Sequence, residues 1–130
     1  MKKELEQYFG CEVKIAEYKN KLPLPIYMTM RDIVMVEIYG VTFAIIDVMK
    51  ETELSVSAIK KQKAKYEEAL QCPVAYEVAL NNVSMRNALV KSGVPFVNLP
   101  GNVFLPFMGI VLQDVYRKQL VKADMMMPAT

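Results

Sequence analysis

Residues 31 to 49 read RDIVMVEIYGVTFAIIDVM, and the fold turns on whether this stretch is strand or helix. Ile33, Val34, Val36, Ile38, Val41, Phe43, Ile45, Ile46 and Val48 are β-branched or aromatic, the side chains that fit a pleated surface. Tyr39-Gly40 divides the stretch into two runs of strand length, so a β-hairpin turning at that pair is expected. The second run is almost wholly apolar through Ile46, whereas a strand with one wet face would alternate. Residues 41 to 48 are therefore expected to form a central strand covered on both faces.

Residues 53 to 70, ELSVSAIKKQKAKYEEAL, follow with a helical period. Val56, Ile59, Tyr66 and Leu70 fall within one arc of roughly 80° on a helical wheel, flanked by Ala58, Gln62 and Ala69. Lys60, Lys61, Ala64, Lys65 and Glu68 fall opposite, so the helix is expected to cover a sheet and keep these lysines in water. Lys63 is the exception. It projects from the middle of the apolar arc, where it snorkels, meets a carboxylate or contacts a partner.

Further out, Cys72-Pro73 closes this helix and PVAYEVAL reads as a strand, with Val74, Tyr76 and Val78 on one face and Ala75, Glu77 and Ala79 on the other. NNVSMRNALVKSG is a short helix with Val83, Leu89 and Val90 on its stripe and Gly93 at its end. VPFVNL is a third apolar run, PGN a turn, and VFLPFMGIVL a fourth run interrupted by Pro106 and Gly109. At the other end, Leu5, Tyr8 and Phe9 in MKKELEQYFG have helical spacing and Gly10 stops the helix. CEVKIAEY sets Val13 and Ile15, with Cys11, against Glu12, Lys14 and Glu17, as a half-buried strand or extended edge. Pro23 and Pro25 make NKLPLPIYM an extended linker or sheet edge.

The fold class expected is α/β: a mixed sheet built from a β-hairpin followed by helix, strand, helix, strand and strand, in β-α-β-α-β-β order, with helices packed on it. Strands separated by one helix are most simply parallel. A chain of 130 residues suits one domain, residues 1–130, with 1–30 as a helix and extended arm and 115–130 as a tail ending helical or frayed.

Composition narrows the chemistry. The 53% hydrophobic and 23% charged residues are those of a folding chain. Lys and Arg number 16 against 14 for Asp and Glu, so no strong uniform field draws the whole molecule to a polyanion. There is no histidine, which removes Ser-His and Cys-His nucleophiles, histidine zinc sites and the commonest general base. Cys11 and Cys72 have no metal-ligand spacing, and no run resembles a membrane span or signal peptide, so a cytoplasmic chain with reduced thiols and no cofactor is expected. The five glycines form no phosphate-binding loop.

Two chemistries have local support. SVSAIKKQK is similar to a DNA-recognition helix, in which Lys60, Lys61 and Lys65 would meet DNA, but the strand-like VTFAIIDV stands where a first helix is required. Asp47 at a strand end, Lys50 after it and Glu77 on the next strand loosely match nucleases that hold Mg²⁺ between strand carboxylates. The expected acid-to-lysine spacing is two, so that both point to one face, and here it is three. Elsewhere, Phe104, Leu105, Phe107 and Met108 could form an apolar contact surface for a partner or a strand over the sheet edge.

Three strings, YGVTFAIIDV, LSVSAIKKQKAKYEEALQCPVAY and RNALVKSGVPFVNLPGNVFLPFMGIVLQD, resemble the amino-terminal region of bacterial MarR-type winged-helix transcriptional regulators. The likeness covers roughly residues 20 to 114 and is most specific from Arg86 to Asp114. In those proteins a separate winged helix follows. Too few residues remain after Leu112 for one, so the resemblance implies a fragment or freestanding relative without their DNA-binding part. It carries no catalytic residues over. The reading is a non-enzymatic module that docks on a protein or senses a ligand in bacterial or phage transcriptional control. A protein partner or homo-oligomer is expected, nucleic acid is less favoured, and no membrane is involved. The contact candidates are Lys63, Phe104, Leu105, Phe107 and Met108.

Overall fold

The hairpin forms as the sequence demands. Tyr39 and Gly40 both take positive φ, 52° and 78°, the pairing that lets a two-residue turn match the twist of its strands. In this computed structural model, which describes residues 1–18, 30–51, 55–79, 83–99 and 101–109, that turn joins β2 (Ile33–Ile38) to β3 (Val41–Asp47). β1 (Lys14–Glu17) pairs antiparallel with β2 at one edge. β3 is parallel to β4 (Val74–Glu77), β4 is parallel to β5 (Phe96–Asn98), and β5 turns back into β6 (Asn102–Phe104). The sheet is mixed, six-stranded and ordered as the chain runs, β1 to β6.

Sequential order has a consequence for the layers. The crossovers from β3 to β4 and from β4 to β5 advance in the same direction, so two connections of one hand set their helices on one face. α2 (Val56–Leu70) and α3 (Val83–Lys91) accordingly share a face, burying Ile59, Tyr66 and Leu89 against Ile33, Ala44, Ile46, Val74, Tyr76 and Phe96. The other face carries α1 (Lys2–Phe9) and a 3₁₀ turn (Pro106–Met108), whose Leu5 and Met108 pack over Val36, Phe43, Ile45, Ala75 and Val97. Phe43, Ala44, Ile45 and Ile46 are buried in succession, which is why β3 lacks alternation.

α2 presents the arc expected of it. Val56 and Leu70 are half-buried at its ends, Ile59 and Tyr66 are wholly buried, and Lys60, Lys61 and Lys65 are exposed. It begins at Val56 with Ser55 as N-cap, Oγ accepting from the Ala58 amide at 3.5 Å. Gly10 ends α1 in the left-handed conformation, φ 69°, as its position predicts.

Three expectations need correction. Val83 and Val90 of α3 face outward, 71% and 38% exposed, because Met85 and Leu89 supply the stripe four residues apart that meets the core. The fourth apolar run stays a strand only to Phe104: Pro106 cannot donate to a ladder, and the chain tightens into the 3₁₀ turn. Glu17 does not oppose Ile15; two residues apart on β1, both lie toward the same cavity. The proline-rich arm at 23 to 25 and the 115–130 tail lie outside the described residues.

Candidate functional site: an acidic cavity at the carboxyl ends of the central strands

β3 and β4 run parallel and in register, so Asp47 and Glu77 are paired across the ladder at their last residues. Side chains alternate along a strand, and the order Phe43, Ile45, Asp47 and Ala75, Glu77 puts both carboxylates on the α1 face. β2 is antiparallel to β3, so its start lies beside the end of β3: the Asp47 amide donates to the Asp32 carbonyl at 2.9 Å. β1 is antiparallel to β2 and ends at Glu17, opposite Val34. Glu17, Asp47 and Glu77 at the ends of three strands, and Asp32 immediately before β2, thus come to one end of one face. Glu17, Asp32, Asp47 and Glu77, with Met1, Ile15, Val34 and Ile45, line an open cavity of about 350 Å³, and the amino-terminal charge partly offsets the carboxylates at Glu77.

The two crossover helices belong to the opposite face, and short α1 covers the rest of this one. The cavity therefore lies on the α1 face, at the end of the sheet where parallel β3 and β4 finish. Glu17 and Asp32 are exposed, Asp47 and Glu77 half-buried. Burial, and after it the charge of Asp47, raise the Glu77 carboxyl above its ordinary range. Asp47 is anchored by its Oδ1, which accepts from the Met49 amide at 2.9 Å. A second cavity of about 190 Å³ shares Asp32 and Asp47 and is bounded by Arg31, Lys50 and Glu51.

Among the described residues no three His, Cys, Asp or Glu side chains converge closely enough to enclose a metal ion. That geometry argues against an all-protein cage.

The remaining candidates are placed as follows. Lys63 meets a carboxylate on its own helix, its Nζ 2.5 Å from Glu67 Oε1 at the favourable i, i+4 spacing. Leu105 and Met108 are buried, and Phe107 is half-buried against Phe43 with ring centroids 5.0 Å apart. Phe104 is half-buried on β6 beside Phe96, centroids 5.8 Å apart. Lys60, Lys61 and Lys65 lie along the outer side of α2, across the sheet from the acidic cavity. Sequence reading singled out Asp47, Lys50 and Glu77 but missed Asp32 and Glu17. Asp32 immediately precedes a strand whose partner ends at Asp47, and the hairpin register holds that signal.

Comparison of the chain with family models, with curated proteins and with solved structures returns no match. Among the described residues no helix is long and apolar enough to cross a membrane.

Proposed function

We propose that the acidic cavity is a divalent-cation site and that the chain is a metal-dependent enzyme of nuclease type, cleaving phosphodiester bonds. The observation that carries this reading is the in-register pair Asp47 and Glu77, both on the face that opens into the cavity. Two carboxylates, one with its charge disfavoured by burial and by the other, form a place where a cation relieves repulsion. Asp47 and Glu77 would hold such an ion, which would supply charge to polarise a phosphoryl oxygen and to acidify a water. Lys50, exposed beside Asp47 in the adjoining cavity, offsets phosphate charge. Its spacing from Asp47 has less weight than in a strand, because β3 ends at Asp47 and Lys50 belongs to the turn beyond.

The test is incubation of single- and double-stranded DNA and RNA with the protein in Mg²⁺ or Mn²⁺. Asp47→Ala and Glu77→Ala are each expected to abolish cleavage while thermal unfolding stays cooperative. Cleavage by both folded variants, or none by the parent chain in either metal, overturns the proposal.

A second reading follows from the winged-helix regulator resemblance and makes the chain a docking or sensing module of transcriptional control. Phe104 and Phe107, partly exposed on β6 and the turn beyond it, favour it. Self-association in sedimentation, or binding to a separately expressed winged-helix partner, that weakens on Phe104→Ser supports this reading. Unchanged association removes it.

A further inference from the structure

We propose that β1 is a docking edge for an extended segment of a partner protein, added to the sheet as a further antiparallel strand and carrying a basic residue beside Glu17 and an aliphatic one beside Ala16. The inference is independent of the cation reading above. β1 stands at one end of the strand order and is laddered to β2 alone. Backbone groups alternate in direction along an antiparallel strand, and the Tyr18 amide donates to the Ile33 carbonyl at 2.9 Å, so Tyr18, Ala16 and Lys14 turn toward β2. Ile15 and Glu17 therefore turn their N–H and C=O groups away from the sheet. Val13 has the same direction, and there the donor is taken, its amide donating to Glu6 Oε2 at 3.1 Å. Past Val13 the edge has no proline and no bulge, the usual devices that stop a further strand from adding. Antiparallel addition uses all four outward groups, because two partner residues two apart exchange both bonds with Ile15 and with Glu17.

The side chains beside this edge set the chemistry of the added strand. Ile15 and Glu17 belong to the α1 face, Lys14 and Ala16 to the α2 face. Glu17 is exposed and, among the described residues, forms no ion pair, so a basic side chain opposite it gains a free carboxylate. On the other face Ala16 is exposed and short. With Met35 and Thr42 it bounds a hollow of about 200 Å³, flanked by Lys14 and Glu37, whose charged groups stand 3.9 Å apart. An aliphatic side chain opposite Ala16 enters that hollow, and strand addition takes its specificity from such alternate pockets. A second copy of β1 fits less well. Outward-turned residues of two such edges pair with each other, so no antiparallel register of β1 with itself sets Lys14 against Glu17.

The probe is an acetylated, amidated octapeptide of alternating lysine and valine, titrated against the full chain by fluorescence anisotropy. Saturable binding is expected, and in hydrogen exchange the Ile15 and Glu17 amides, open in the free chain, are expected to slow by about tenfold or more. Methylating the lysine backbone nitrogens removes the donors that face β1 and is expected to weaken binding by about tenfold or more, whereas methylating the valine nitrogens, which face away, changes it by less than about threefold. Glu17→Lys is expected to lower affinity for this peptide by about threefold or more and to favour its glutamate-valine counterpart. No saturation up to about 1 mM overturns the proposal, as does equal loss from either methylation pattern. Unchanged affinity in Glu17→Lys overturns the basic partner. A dimer in sedimentation that the peptide does not dissociate gives the edge to a second copy and overturns the partner segment.

Discussion

Adjacent residues on α2 offer a sharp test of which way that helix faces. Ile59 has no exposed surface and packs among Ile46, Val74 and Tyr76, while Lys60 is exposed. Ile59→Ala deletes three buried carbons, and at about 0.8 kcal/mol each the transfer loss alone is about 2.4 kcal/mol. The cavity left behind adds to this, since Tyr76 is tied to the same turn by its hydroxyl, which donates to the Ile59 carbonyl at 3.3 Å, and cannot collapse into the space freely. A destabilisation of about 3 kcal/mol is expected, a large part of the roughly 5–15 kcal/mol that holds a small domain together. Lys60→Ala removes only a solvated side chain and improves helix propensity, so its effect is expected within about 0.5 kcal/mol. Urea unfolding followed by far-ultraviolet circular dichroism measures both, with a common m-value required before midpoints are compared. If Lys60→Ala costs as much as Ile59→Ala, or Ile59→Ala costs under about 1 kcal/mol, α2 does not cover the sheet with this face and the assignment of its lysines to solvent is refuted.

Two other outcomes are expected. Because the Glu77 carboxyl is raised in the folded chain, the fold binds that proton more tightly than the unfolded chain does. Its stabilising contribution is complete below pH of about 4.5 and is lost as pH rises through the raised value. Glu77→Gln should therefore match the parent in urea at pH 4 and exceed it at pH 7; a variant weaker at pH 7 refutes the argument. Gly40→Ala forces a side chain into φ 78°, and a loss of about 1–2 kcal/mol in the same unfolding assay is expected, whereas a neutral result would mean that the turn relaxes.

Much of the architecture was legible because it depends on neighbours in the chain. The hairpin was readable from the turn pair Tyr39-Gly40 between β-branched runs, and the inner side of α2 from Ile59 and Tyr66, because period and turn chemistry act within a few residues. The parallel pairing of β3, β4 and β5 followed from a helix between each pair. The outward turn of Val83 and Val90 did not follow, since the choice between two weakly apolar stripes on α3 belongs to the sheet beneath it. Nor did the burial of Leu105 and Met108, which depends on how Pro106 turns the chain under the α1 face.

The sequence by itself determined element type, the central place of β3 and the absence of histidine chemistry, because residue identity and local period are sufficient for these. Only the tertiary structure decided that Glu17, Asp32, Asp47 and Glu77 share a cavity. Those residues lie on separate strands and turns. Register and strand order bring them together, and both arise from cooperative burial of two faces at once, which no short window of sequence contains.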